Sequence, residues 1–347
     1  MYQAPASTGS PSGRPGAALK RAFARGAGPA ERRAEWMLRA LAAGVLVVIA
    51  GMAITVFSKA WPSFAHNGLA WFGSGGDVDT QLREMINGPK DPAHYVYQFK
   101  AWPLIWATIL TSGLAVILGM VVSIFAAVFI VEFAPAQVRR AIDPTIRLLA
   151  GVPSVVYGLV GILAIAPWVE HNLISTGRKR SVEYVVQLTG ANLSVAVLIL
   201  TVMIVPIMVA IVVSALETVP TSWTEGSAAL GVNRWRTTWR VSLRTARPAI
   251  VAAAVLATAR ALGESIMLSM VSGSRGFSPN PLDGVTFFFE PVRPLAATII
   301  DYIDSITVVP VEQTLYAMAA VLLVSCALLS LAGWAAKQPM KRYGIRA

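Results

Sequence analysis

Long runs without a charged residue constrain this chain more than any other feature. From Ala101 to Val131 there is no Asp, Glu, Lys or Arg. A helix needs about 20 consecutive apolar residues to cross the hydrocarbon core of a bilayer, so this run is long enough for one crossing. Similar runs recur along the chain, in which 55% of the 347 residues are hydrophobic and 14% are charged. Such values are typical of a membrane protein with several spans.

We predict six transmembrane helices, and therefore an all-α integral membrane protein. The predicted spans cover residues 41–58, 103–131, 148–167, 193–215, 248–271 and 314–336. Residues 1–36 are predicted to form a disordered basic tail, and residues 37–347 one membrane domain. In the third span, Pro153 and its neighbouring glycines favour close packing and a kink. Pro248 is predicted to begin the fifth span, because proline suits the first turn of a helix.

Basic residues outnumber acidic ones, and the net charge is +11. In a soluble chain this charge would indicate nucleic-acid binding. Here the basic residues lie between the spans without a recognition motif, so we predict no nucleic-acid partner. The side of the bilayer with both termini and the loop 216–247 carries about twice as many Lys and Arg residues as the other side. We therefore expect a multi-pass protein of the cell membrane with both termini and this loop in the cytoplasm.

Two charged residues interrupt the fifth predicted span. Arg260 and Glu264 are four residues apart, about one helical turn, so on a continuous helix they would share one face. An ionisable side chain near the middle of a bilayer costs on the order of 3 kcal/mol, which requires a partner or a function. Two interpretations remain open: a structural ion pair, or a gate at which an anion is bound.

Other chemistry has no support in the sequence. His66, His94 and His171 lie in separate polar loops without metal-ligand spacing, and Cys326 is the single cysteine. No nucleophile and base constellation lies within the spans. We therefore predict no metal site, no cofactor and no enzymatic activity.

The loop 216–247 carries a motif that identifies a family. Glu225 and Gly231 have the spacing of the EAA motif of ABC-importer permeases, E-A-A, three residues and G, followed by nine residues and I-x-L-P. Gly226 and Ser227 replace the two alanines, and Arg244 replaces the proline. The chain thus resembles the permease subunits of these importers, whose fold is the six-helix, type I, MetI-like permease.

This resemblance implies that the loop is a short helix pair that docks on a separate ATPase subunit. Glu225 would pair with the ATPase and Gly231 would permit the tight turn, with Gly226, Ala228 and Ala229 completing the coupling site. The chain has no Gly-x-x-x-x-Gly-Lys-Ser/Thr sequence, so the nucleotide must be bound by another polypeptide.

Two further stretches resemble phosphate-importer permeases of the PstC type. They are residues 150–158, Ala-Gly-Val-Pro-Ser-Val-Val-Tyr-Gly, and residues 259–265, Ala-Arg-Ala-Leu-Gly-Glu-Ser. The resemblance covers about residues 101–336. With phosphate as the substrate, we predict that Arg260 and Glu264 form the substrate gate, because a guanidinium can offer two parallel donors to phosphate oxygens. The resemblance also implies three partners besides the lipid bilayer: a PstA-like second permease, an ATPase dimer and an extracytoplasmic phosphate-binding protein.

Several alternatives stay open at this point. A permease for sulfate, molybdate or phosphonate would share the loop motif, and the sister PstA-type subunit has a similar gate. A secondary transporter or channel belongs to a different class and would work without nucleotide. The loop at residues 60–100 is less diagnostic, and whether it contacts the binding protein is not predicted.

Overall fold

A computed structural model describes residues 29–182, 187–276 and 278–341. The chain divides into two units, Met1–Thr55 and Val56–Ala347. The described part of the first unit belongs to helix α1, Pro29–Asn67, which continues into the second unit. Helix α1 begins inside the segment predicted as a disordered tail, because proline suits a first helical turn and the residues after it are mostly good helix formers. Residues 1–28 of the predicted tail lie outside the described residues.

The remaining helices are numbered in chain order. They are α2 (Val78–Asn87), α3 (Trp102–Val128), α4 (Ala136–Ala150), α5 (Ser154–Val160), α6 (Ala166–Asn172), α7 (Thr176–Val182), α8 (Leu193–Glu217), α9 (Thr221–Ala229), α10 (Arg234–Thr237), α11 (Leu243–Leu262), α12 (Ile266–Val271), α13 (Leu295–Asp301) and α14 (Val309–Lys341). Three π-helical turns continue α3, join α5 to α6 and join α10 to α11; they are Phe129–Phe133, Gly161–Ile165 and Thr238–Ser242.

Six helical segments of the described chain are long and apolar enough to cross a membrane. They are Arg33–Phe72, Trp102–Phe133, Ser154–Asn172, Leu193–Glu217, Arg234–Leu262 and Val309–Gln338. Among the described residues, the extended backbone pairs only in an isolated bridge between Gly273 and Val292. The predicted fold class, all-α with six transmembrane helices, is confirmed.

The third span differs from its prediction because the helix is interrupted. Helix α4 ends at Ala150, and α5 begins at Ser154. Proline has no backbone N–H, and it disfavours helical geometry at the residue before it, so Pro153 separates the two helices. The predicted span 148–167 therefore crosses a break, and its first residues belong to α4.

The fifth span differs at both of its ends. Pro248 lies inside α11 and does not begin a helix. The helix continues through it, and Leu243, Ala246 and Ala253 are buried on both sides of the proline. At the other end α11 stops at Leu262, and α12 starts at Ile266. The predicted span 248–271 is therefore two helices with a break between them.

Helix α8 lies at the centre of the membrane-spanning part of the second unit. Two thirds of its most apolar stretch is buried, more than in any other described span. It packs against α3, α4 and α11. The approach to α3 is close at Gly119, where an added Cβ would lie 3.3 Å from Met208 Sδ and 3.4 Å from Ile204. Burial of large apolar side chains on α8 fixes the helices around it.

The segments between the spans gather on two sides. On one, called here the α2 side, Arg293 pairs with Asp79, and Gly273 lies against the Ala191 carbonyl. On the other, called the α9 side, Arg139 pairs with Glu217, and Arg234 pairs with Glu132 at 3.3 Å. The predicted gate residues therefore lie at a break in a span, whereas the predicted coupling residues lie on the α9 side.

Candidate functional site

The structure separates Arg260 and Glu264 from the shared helix face on which they were predicted. Arg260 lies in the last turn of α11, whereas Glu264 follows the end of that helix. No ion pair joins the two side chains in the part of the chain that the structure describes. The two residues do not share a helix face, because α11 ends at Leu262, between them.

The two side chains also lie in different environments. Glu264 is 9% exposed, and its Oε1 accepts a hydrogen bond from the backbone N–H of Met267 at 3.2 Å. The carboxylate therefore caps the first turn of α12, where unpaired N–H groups favour a negative charge. Arg260 is exposed. Of the two side chains, Arg260 is therefore the exposed one and Glu264 the buried one.

Tyr157 on α5 lies at the break of the third span. Its hydroxyl donates a hydrogen bond to the Leu149 carbonyl at 3.0 Å and so bridges the interruption between α4 and α5. Tyr157 belongs to the stretch 150–158, which resembles PstC-type permeases, but no role was predicted for it. Nothing in the sequence indicates which side chain bridges a break in a helix.

Helix α5 packs closely against α12, which brings the two broken spans together. A Cβ added at Gly158 would lie 2.8 Å from Met270 Sδ and 3.3 Å from Met267 Cα. A larger residue here would require the Met270 side chain to move and the α12 backbone to shift slightly, so glycine suits this close approach. Breaks in membrane helices are found where the backbone lines a cavity or is enclosed by protein, and in transporters they occur at substrate sites.

On the α9 side, the predicted coupling loop is a helix pair with a glycine turn. Gly231 has a φ of +77°, a left-handed conformation that favours glycine. Its N–H donates to Ala228 at 2.9 Å, and the Val232 N–H donates to Ser227 at 3.2 Å. These two bonds are the Schellman arrangement that ends a helix. The turn leads to Asn233, whose side chain caps α10 by accepting from the Arg236 N–H at 2.8 Å.

The surface of this helix pair is exposed. The predicted coupling residues Glu225, Gly226, Ala228, Ala229 and Gly231 all lie at the surface. Leu230, at the turn, is 84% exposed. Between the two arms, the hydroxyls of Ser227 and Thr237 are 2.8 Å apart. The Ser227–Thr237 hydrogen bond thus links the two arms of the loop, and the outer face of the loop is exposed.

A second charged cluster lies on the α2 side and was not predicted. Arg293, whose side chain is 8% exposed, pairs with Asp79, and its Nε lies 3.4 Å from Asp301 Oδ2. Burial raises the pKa of the Asp79 carboxyl, but hydrogen bonding and charge from Arg293, together with the Tyr302 hydroxyl, outweigh burial and lower that pKa. Asp79 is therefore firmly ionised at neutral pH.

Glu290 is another carboxyl on this side. Its side chain is buried, and its pKa shifts in the opposite direction to that of Asp79. Burial raises its pKa to about 7, although a hydrogen bond from the Asn280 N–H at 3.3 Å acts against the shift. The neighbouring Asp283 raises the pKa further. Glu290 is therefore close to half protonated at neutral pH, whereas Asp79 keeps its charge.

These features define a multi-pass, all-α membrane protein with broken spans at a charged site and an exposed helix pair on one side. Residues 119–336 match the family described as "Binding-protein-dependent transport system inner membrane component", and the chain belongs to this family. This assignment confirms the predicted relation to importer permeases.

Two proteins similar to this chain are named as permease proteins. The chain is 30% identical over 286 residues to the "Probable ABC transporter permease protein YqgH" of Bacillus subtilis, covering 82% of this chain and 84% of the relative. It is 34% identical over 215 residues to the "Phosphate transport system permease protein PstC 1" of Mycobacterium tuberculosis, covering 60% and 62% respectively. The predicted PstC-type resemblance is confirmed, and the chain is a permease subunit of an ABC importer.

A solved structure shares the fold. The crystal structure of a bacterial alginate ABC transporter, in complex with an alginate pentasaccharide-bound periplasmic protein, matches with a TM-score of 0.56 at 14% identity. The match covers 89% of this chain and 96% of the other. At this identity the match supports the permease fold and carries no information on the substrate.

Proposed function

We propose that this chain is a membrane-spanning subunit of an ATP-driven importer of inorganic phosphate and forms half of its translocation path. The observation that carries the proposal is the exposed Arg260 in the last turn of α11, four residues before the buried Glu264 at the break of the fifth span. A charge at this depth is costly unless a partner or an anion accompanies it. Relatives named as phosphate permeases support phosphate as that anion.

The chemistry of the two side chains fits hydrogen phosphate. A guanidinium offers two parallel N–H donors to phosphate oxygens. An ionised carboxylate only accepts hydrogen bonds, so Glu264 would accept the proton of hydrogen phosphate and disfavour the proton-free sulfate dianion. One Glu264 oxygen already accepts the Met267 N–H. In this proposal the other oxygen meets the substrate.

Coupling to ATP hydrolysis is proposed for the α9 side. The exposed loop residues Glu225, Gly226, Ala228, Ala229 and Gly231 would dock on a separate ATPase subunit. A PstA-like permease would supply the other half of the path, and an extracytoplasmic phosphate-binding protein would deliver the substrate. The chain itself would carry no enzymatic activity. Residues 1–36 would be a cytoplasmic tail and residues 37–347 the permease domain.

Uptake by the assembled complex in lipid vesicles tests this function. We expect phosphate uptake that requires ATP on the side of the membrane where the ATPase subunit lies. At equal concentrations, phosphate uptake should exceed sulfate uptake. Uptake without nucleotide would indicate a secondary transporter or channel instead. Preference for sulfate, molybdate or phosphonate would assign the chain to another oxyanion importer. Assembly with a PstC-type partner in place of a PstA-like one would make it the sister subunit.

The orientation of the chain is tested separately by thiol labelling. Ser222 lies on the α9 side and Ser278 on the α2 side. In a Cys326→Ser background, Ser278→Cys should react with a membrane-impermeant reagent in intact cells. Ser222→Cys should react only after permeabilisation, since the excess of basic residues predicts a cytoplasmic α9 side. Reaction of both positions from outside would rule out this topology.

A further inference from the structure

Arg293 joins two elements on the α2 side that the proposed function does not use. Its guanidinium contacts Asp79 in the first turn of α2 and Asp301 at the end of α13. It also lies over the Tyr302 ring, 5.6 Å from the ring centroid. The Tyr302 hydroxyl donates to Asp79 at 2.8 Å, which closes the cluster. One enclosed side chain therefore fixes α2 relative to α13.

The same cluster reaches the end of α12 that lies away from Glu264. Asp301 accepts a hydrogen bond from the Ser269 hydroxyl on α12. Arg293 also donates to the Ser274 carbonyl, just beyond that helix. The neighbouring Val292 N–H donates to the Ser272 carbonyl at 2.8 Å. These contacts fasten the C-terminal end of α12 to the residues around Arg293.

Helix α12 is short enough to transmit this constraint. Its six residues span about 9 Å, and its N-terminal turn is capped by Glu264. Its turns are linked by backbone hydrogen bonds from the Ser269 N–H to the Ser265 carbonyl at 2.9 Å and from the Ser272 N–H to the Leu268 carbonyl at 3.0 Å. Fixing the Ser269 end therefore also fixes the position of the Met267 N–H, which holds the Glu264 carboxylate.

We propose that Arg293 is a positioning residue for the anion gate. It holds α12 through Asp301 and Ser269 and thereby fixes the Glu264 carboxylate that discriminates between anions. The inference rests on the proposed role of Glu264 in selectivity. Arg293 acts at a distance and does not contact the substrate.

A cluster that serves only stability would behave differently. Breaking a buried ion pair destabilises a protein, and replacing the whole pair by apolar residues is often neutral. Either effect changes the amount of folded complex but leaves the ratio of phosphate to sulfate uptake per complex unchanged. That ratio is therefore the informative measurement.

The test uses two substitutions that disturb the cluster to different degrees. Ser269→Ala removes the hydrogen bond between α12 and Asp301 and leaves the Arg293 ion pairs in place. Arg293→Lys keeps the charge but loses the planar fork that reaches both carboxylates. We expect the phosphate-to-sulfate ratio to fall about fivefold in the first variant and about tenfold in the second.

A matched control and a double variant make the result specific. Thr298→Val alters a buried hydroxyl on α13 that bonds back to the Pro294 carbonyl, and it should leave the ratio unchanged. Ser269→Ala combined with Glu264→Gln should lower the ratio no further than Glu264→Gln alone, because both act on one carboxylate.

The possible failures are distinguishable. If Glu264→Gln changes the ratio and the Ser269 and Arg293 variants do not, the positioning role is wrong and the gate stands. If Glu264→Gln leaves the ratio unchanged, the selectivity role of Glu264 fails, and the positioning role fails with it. Fully additive effects in the double variant would also overturn the inference.

Discussion

Replacing Arg260 by lysine is expected to slow phosphate uptake roughly 10- to 100-fold, with the amount of complex in the membrane unchanged. The loss corresponds to about 1.5–3 kcal/mol, the usual contribution of a hydrogen bond to a charged group. Lysine keeps the positive charge but cannot present two parallel donors to phosphate. Initial uptake rates of phosphate and sulfate by the assembled complex measure the effect.

The position of Arg260 is the reason to expect so large an effect. A side chain neutralised by an ion pair with Glu264 would have to break that pair before it could bind an anion. In this structure Arg260 is exposed at the end of α11, and Glu264 is held by the Met267 N–H. The guanidinium is thus available without a prior rearrangement, and the substrate would supply the missing negative charge.

Substitution of Glu264 by glutamine distinguishes an effect on anion selectivity from an effect on the folding of α12. Glutamine retains an oxygen that can accept the Met267 N–H, so Glu264→Gln keeps the helix cap while removing the charge. The neutral amide has no negative charge with which to repel a dianion that carries no proton, such as sulfate. We therefore expect a lower preference for phosphate over sulfate with little loss of assembled complex.

Two comparisons decide whether the pair acts as a gate. Arg247→Lys changes another exposed arginine of α11 in the same way and should leave uptake near the parent rate. Arg260→Met together with Glu264→Met removes both charges. Parent-like uptake and selectivity in that double variant would show that neither charge is needed for transport and that the gate lies elsewhere.

The existence of the spans and a kink at Pro153 could be predicted from the sequence, but the break in the fifth span could not. Absence of charge over a sufficient length requires burial in lipid whatever the packing, so the spans follow directly from composition. Proline alone does not decide where a helix breaks. Pro206 and Pro248 lie inside continuous helices, whereas α5 begins directly after Pro153. The break at Pro153 coincides with Tyr157 bonding to Leu149, a tertiary contact invisible in the sequence.

The candidate site divides in the same way. Gly231 could be placed at a turn because a left-handed residue leaves a local signal, a glycine after a short helix. The break between Arg260 and Glu264 has only Gly263 as a local sign, and glycine is common within membrane helices. The Arg293 cluster leaves no signal at all. Asp79 and Arg293 are more than two hundred positions apart, and only the folded chain brings them together.

Replacing Gly231 by arginine is expected to abolish both ATPase association and uptake while leaving membrane insertion intact. The left-handed φ of +77° adds strain of about 1–2 kcal/mol for a residue with a side chain, too little to unfold the chain. Within this chain, an added Cβ at Gly231 meets nothing within 4 Å. Any larger loss must therefore come from contact with a partner surface, which a long charged side chain would obstruct.

Asparagine provides the matched control, because it adopts left-handed geometry more readily than other side chains and is much shorter than arginine. Gly231→Asn should therefore retain most ATPase association and uptake, and the difference between the two variants isolates side-chain size from backbone strain. Co-purification of the ATPase and uptake in vesicles measure the two effects on equal amounts of permease. If Gly231→Arg still binds its ATPase and transports at the parent rate, residues 225–231 are not the coupling site. If both variants lose association equally, backbone geometry rather than a tight partner contact governs coupling at this turn.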